Sequence, residues 1–157
     1  MIYIRQEQPN KNLCVPTAIA ILTGISVSNL LADVGGEIRS YAIDEFITPL
    51  FRRGWLLAPT YSLYDLQGEG EASREVILTT CPAVVSGILN HMDIEDGTNG
   101  YHAVAWTGNS VLDPGWGCEG EKLHTAFKEI LGIAHIVPIP MYSQYWTNLQ
   151  SEVPDWL

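Results

Sequence analysis

Three cysteines (Cys14, Cys81 and Cys118) and four histidines (His91, His102, His124 and His135) are the side chains from which this 157-residue chain could build a nucleophile and its base. Cys14 has the most telling address. It sits in NLCVPTAIAIL, two residues before Pro16, at the head of an apolar run that Gly24 closes. Proline suits the first turn of a helix and glycine its end, so the pattern predicts a helix starting near Cys14. The first-turn N–H groups and the helix dipole favour negative charge there, which stabilises a thiolate. Free cysteine is also a common core residue, so the position alone does not decide. Cys81 precedes Pro82 at an expected strand start and reads as core. Cys118 lies in the glycine-rich stretch GWGCEGEK and reads as an exposed rival thiol.

A thiolate nucleophile needs a base, and the base needs a group to orient it. His124 falls on an expected amphipathic helix, His91 leads into an acidic loop, and His135 opens the expected last strand. His102 begins the apolar run YHAVAWTG, where a strand would hold an imidazole rigidly. Gly108-Asn109 then marks a two-residue hairpin turn, and the chain returns as SVLDP. With those two residues at the centre, Thr107 faces Ser110 and His102 faces Gly115. Asp113 falls two places from that partner, on the same face and within diagonal reach of His102. Cys14, His102 and Asp113 together would form a nucleophile–base–orienter set. The backbone N–H of Cys14 could serve a developing oxyanion. So could a side-chain amide upstream, with Gln6, Gln8, Asn10 and Asn12 all available.

The segments QPNKNLCVPTAIAIL, YHAVAWTG and SVLDP, in this order, resemble the papain-like cysteine peptidase superfamily. Within it, the similarity is nearest to the small bacterial branch of bacteriocin leader-processing peptidases. The resemblance implies a papain-like fold in which Cys14 heads a long buried helix and His102-Ala103-Val104 opens a strand. It also implies that Asp113-Pro114 ends the next strand, and that Gln8, six residues before the cysteine, supplies the oxyanion-hole amide. The implied activity is cleavage of a peptide or amide bond through a Cys-His-Asp triad and a thioester, with no cofactor and no metal. The chain departs from the branch after the cysteine, where Val15 and Pro16 replace smaller residues and narrow the space beside the thiol. Residues 37–90 match nothing in the family.

The elements that must position these groups follow from pattern. Residues 1–13 read as extended or loop. A helix from Cys14 to the Gly24 stop is apolar on nearly all sides and therefore buried. Ser28 would cap a second helix, SNLLADV, closed by Gly35-Gly36. A third spans about 40–53, with Pro49 as a kink. Strands are expected at WLLAP, PAVVSGIL, YHAVAWTG, SVLDP and AHIVPIP, the last at a sheet edge because of Pro138. Further helices are expected near 73–79 and over LHTAFKEIL, and polar loops over 65–73 and 91–100. Helices first and strands later give one α+β domain over residues 1–157, with the first helix packed on a largely antiparallel sheet.

Composition bounds the partners. The formal charge is −10, and the basic residues are scattered. This predicts no nucleic-acid partner and no anionic membrane surface, and it favours peptide or protein substrates, including basic ones. The absence of a leader pattern or an 18-residue apolar run predicts a cytoplasmic protein. Three cysteines without a CxxC pair argue against a disulfide framework or a four-cysteine zinc site. Two other functional readings use the same residues. One is an idle papain-like scaffold that binds or inhibits a protein through its aromatic tail, 141–156. The other is an acyl transferase or deamidase. A metal site at His91, Asp93 and Asp96 has loose spacing, and acidic loops are usually just solvated.

Overall fold

The computed structural model describes residues 3, 6, 8–60, 81–90, 101–115 and 118–139. The expected loops at 65–73 and 91–100, the helix near 73–79, the His91–Asp93–Asp96 group and the aromatic tail lie outside them. Helix α1 (Cys14–Thr23) ends on Gly24, whose φ of 75° is left-handed and whose N–H bonds the Ala20 carbonyl. Helix α2 (Val27–Asp33) is capped by Ser26, not Ser28: the Ser26 hydroxyl accepts the Asn29 N–H. The cap is set by the residue that is still extended, and Ser26 has ψ 147°.

The expected long helix over 40–53 is two short pieces. A 3-10 turn (Ile43–Phe46) runs into helix α3 (Ile47–Arg52). Pro49 is the third residue of α3, inside the first turn, where its missing N–H costs nothing. It therefore helps start a helix instead of kinking one.

The sheet has five strands, in the order β1-β5-β2-β3-β4, all neighbours antiparallel. They are β1 (Trp55–Thr60), β2 (Ala83–Leu89), β3 (Tyr101–Trp106), β4 (Val111–Leu112) and β5 (Phe127–Pro138). The molecule is thus α+β with an antiparallel sheet. Two expectations are corrected. LHTAFKEIL is helical only as α4 (Leu123–Ala126), after which Phe127 begins β5. And β5 is an interior strand, between β1 and β2. Pro138 is tolerated because it is the last residue of the strand, opposite Trp55. His135 accordingly lies well inside β5, paired with both Ala58 and Ala83, and does not open it.

The pairing of β5 with β2 slips twice. Ser86 faces Gly132 but Gly87 faces Ile130, and Ile88 faces Glu129 but Leu89 faces Phe127. Leu131 and Lys128 are surplus residues at these β-bulges. Gly87 sits at the first slip, where a Cβ would fall 2.1 Å from the Glu129 carbonyl oxygen. Only glycine allows that approach.

Both sheet faces are covered, which is why the strands read as apolar runs and not as alternation. One face packs Val84, Ala103, Ala105, Ala134 and Ile136 against Ala18, Ile19 and Leu22 of α1, with Phe46 and Leu50 behind. The other packs Val85, Val104, Trp106 and Ile133 against Leu123, Ala126 and Phe127. Large side chains buried in this way each contribute about 1.5–3 kcal/mol. Thr17 is the polar exception inside α1. It is fully buried, and its hydroxyl bonds the Leu13 carbonyl at 2.7 Å.

Candidate active site

Cys14 is the first residue of α1, and no side chain caps that helix end. Its thiol is half-buried and receives hydrogen bonds from the N–H groups of Val15 and Ala103. It is also hydrogen-bonded to the His102 ring. The sequence builds this local geometry simply. Asn10 turns the chain, accepting from Asn12 N–H at its side chain (3.0 Å) and from Leu13 N–H at its carbonyl (2.9 Å). Leu13, only 2 % exposed, then anchors the helix start in the core.

His102 is the second residue of β3, opposite Gly87 of β2. Its Nε2–H donates to Asp113 Oδ1 at 2.8 Å, which leaves Nδ1 for the Cys14 thiol. The hairpin has the expected register. Trp106 pairs with Val111 and Ala105 with Leu112, while Thr107 N–H donates to the Ser110 carbonyl. Gly108 takes φ 93°, the left-handed turn position. β4 ends at Leu112, so Asp113 stands just beyond the strand and not on it.

Asp113 is fully buried and well supplied with donors. Oδ1 also accepts the Gly115 N–H at 2.8 Å, and Oδ2 accepts from the Cys118 N–H (3.2 Å) and Sγ (3.0 Å). Cys118 was expected in an exposed loop as a competing thiol, but it is 0 % exposed. Burial first, and then the Asp113 and Glu121 charges, push its thiol far above the ordinary range. It cannot compete for an electrophile. Nothing in GWGCEGEK signals this, because the burial comes from the loop folding back on β4 through Gly120 N–H to Val111 O (2.8 Å) and Val111 N–H to Glu121 O (2.9 Å). Cys81 is half-buried. His124 is exposed, as expected.

Gln8 is brought to the same corner. Its N–H donates to the Pro114 carbonyl at 2.9 Å. Its side chain lies so close to Gly115 that a Cβ there would fall 2.8 Å from Nε2. Its Oε1 is buried, with no partner among the described residues. Three of the candidate amides therefore have different fates. Asn10 shapes the turn, Asn12 follows it, and Gln8 joins the Asp113–Gly115 segment.

The electrostatics favour an ion pair. Burial raises the Cys14 thiol, but the hydrogen bond and charge of His102 and the two backbone N–H groups outweigh it, and the net pKa is lowered. Burial likewise lowers the His102 imidazolium, but Asp113 and Cys14 outweigh it, and the net pKa is raised. Each charge thus favours the other: the imidazolium stabilises the thiolate, and the thiolate stabilises the imidazolium. Alkylation of Cys14 should persist to a pH below that of free cysteine, near 8.5, and the His102 proton should be lost only above the usual imidazole value of about 6.5. For turnover that needs both charges, we expect a bell whose acid limb belongs to Cys14 and whose alkaline limb belongs to His102. An alkylation rate that rises only through the ordinary thiol range would show that the pair does not form.

The site opens on a cavity of about 510 Å³. Its lining includes Cys14, Val15, His102 and Ala103, together with Ser40–Ile43 and Ser86 with Leu131–Ala134. The Ser40–Ile43 segment is held by its neighbours. Arg39 forms a two-point ion pair with Glu45 (3.0 and 2.5 Å) and lies 4.1 Å over the Tyr41 ring. Glu45 also accepts the Ala42 N–H at 2.9 Å, and Arg39 holds its carboxyl down at about 2. Among the described residues no group of acidic, histidine and cysteine side chains could hold a metal ion, and no helix is long and apolar enough by itself to cross a membrane. No protein-family model matches the chain, and no curated protein matches it in sequence.

Proposed function

We propose that the chain is a papain-like thiol hydrolase that cleaves a peptide or amide bond through Cys14, His102 and Asp113. One observation carries the reading: a buried imidazole is held at 2.8 Å by a buried carboxylate and bonded on its other side to a thiol at a helix N-terminus. The helix-on-antiparallel-sheet arrangement supports the papain-like assignment, since the cysteine comes from the first helix and the base and orienter from one hairpin.

In this mechanism the Cys14 thiolate attacks the carbonyl carbon, forming a C–S bond as the C=O electrons move to oxygen. The oxyanion faces the Cys14 N–H at the uncapped helix end and the Gln8 amide, each donor contributing about 3–4 kcal/mol in comparable sites. The imidazolium of His102 gives its proton to the leaving amine as the C–N bond breaks. Neutral His102 then deprotonates a water molecule that attacks the thioester, and Cys14 leaves as thiolate. Asp113 keeps Nε2 protonated and stabilises the ring charge. Acyl transfer or deamidation differs only in the incoming nucleophile or the amide chosen. Val15 does not close the site, because it lines the open cavity beside the thiol.

The cavity also supports a substrate class. Apart from Cys14 and His102 themselves, its described lining holds no carboxylate, ammonium or guanidinium group. None of the carboxylates behind the −10 charge belongs to the described lining. An uncharged, apolar group on the acyl side fits better than a basic one. We expect a peptidyl chloromethyl ketone with a terminal leucine to label Cys14 alone, at least about tenfold faster than its lysine counterpart. Peptide mapping by mass spectrometry reads the site. Labelling no faster than that of a free thiol, or no preference between the two probes, would count against this reading.

A further inference from the structure

The Asp113 carboxylate is held from the side away from the imidazole. Oδ1 takes the His102 Nε2–H and the Gly115 N–H, and Oδ2 takes both donors of Cys118. Two donors on each oxygen match the acceptor capacity of a carboxylate. The thiol must be protonated here. A thiolate would set a second negative charge 3.0 Å from Oδ2 in a fully buried place. The neighbouring charges agree: Glu119 Oε2 accepts the Asp113 N–H at 2.9 Å, and the Glu121 carboxylate also opposes ionisation of the thiol. His102 is the one cationic group facing this carboxylate among the described residues, across Oδ1. The loop carrying Cys118 is itself pinned, because Lys122 Nζ bonds the Asn109 carbonyl (2.5 Å) and side chain (2.7 Å) at the hairpin turn.

We propose that Cys118 is a positioning residue, whose S–H and N–H fix the Asp113 carboxylate so that Oδ1 stays on His102 Nε2 and the ring stays turned toward Cys14. Its importance for turnover rests on the hydrolase reading above. The contact itself can be tested without turnover.

The test is the titration of His102, followed by NMR in a Cys14→Ala background, where the neighbouring thiolate is absent. Cys118→Ala removes the S–H donor. Oδ2 loses its side-chain anchor, the carboxylate drifts from Nε2, and the imidazole midpoint falls by about one pH unit. Cys118→Ser keeps a hydroxyl donor and recovers most of the shift. A role in packing alone would lower the melting temperature of the alanine variant while leaving the midpoint in place. That outcome, or an upward move, overturns the proposal. Should the alanine variant not fold, Cys118→Thr and Cys118→Val make the same comparison at nearly equal volume, with and without a hydroxyl. Equal midpoints in that pair also overturn it. Lack of amide turnover by the native chain would sink the hydrolase reading and leave these titrations unaffected.

Discussion

Cys14→Ala eliminates turnover of any amide that the native chain cleaves, a loss of about 10⁴- to 10⁶-fold. The size follows from the role. Without sulfur there is no acyl-enzyme, and what remains is the oxyanion site and binding alone. The fold should survive. Cys14 is half-buried at the first position of α1, and alanine is the best helix former. The anchoring residues Leu13, Ala18 and Ile19 are untouched, so stability should change by less than about 1 kcal/mol. Alkylation gives a second readout. Cys118 is sealed, so the fast phase of iodoacetamide labelling at neutral pH must vanish with Cys14. Peptide mapping that finds the fast phase on Cys81 in the variant would refute the assignment of the nucleophile.

Asp113→Ala has the second large effect, and it strikes stability as well as rate. The carboxylate accepts at least four hydrogen bonds in a place with 0 % exposure. Its removal strands the Gly115 and Cys118 N–H groups, the thiol proton and the His102 ring. An unsatisfied buried donor costs about 1–3 kcal/mol, and such costs within one network do not add. Breaking a buried charged pair costs about 3–5 kcal/mol in total, a large part of the 5–15 kcal/mol that a domain commands. Thermal or urea denaturation measures it. The size of the loss also depends on pH. The raised His102 value means that its contribution is fully present below the unfolded pKa and lost as pH rises through the folded value. The gap between the native chain and the variant should therefore narrow as pH increases past that point, leaving the part due to the stranded donors. An unchanged melting temperature at pH 6 would show that Asp113 bears no such load.

The meeting of Cys14, His102 and Asp113 was legible because each lies at a local punctuation mark. Pro16 and Gly24 frame the cysteine helix, and Gly108-Asn109 sets a register that places Asp113 beside His102. Those signals are short-range and act where they stand. What could not be read arises from tertiary pairing. Phe127, Ile130 and Ile133 recur at three-residue spacing, which is the helical pattern, yet they belong to β5. The two bulges insert Lys128 and Leu131 and so stretch a two-residue alternation to three. Pro138 marks an edge strand only if it is read without knowing that the strand stops there. Cys118 looked exposed because glycine-rich loops usually are, and its contact with Asp113 depends on a loop folding back through backbone bonds that leave no trace in residue type. Ser26 caps α2 in place of the expected Ser28 for a smaller reason, since the two serines stand two residues apart and only backbone conformation separates them.

The double slip in β5 also bears on how this molecule could change over time. Leu131 is surplus to the ladder and lines the cavity, whereas His102 stands on β3, on the far side of β2. A strand that already carries unpaired residues can gain or shed one there without shifting its flanking pairs. The cavity lining could therefore change by single-residue insertions at Leu131 while Cys14, His102 and Asp113 keep their places.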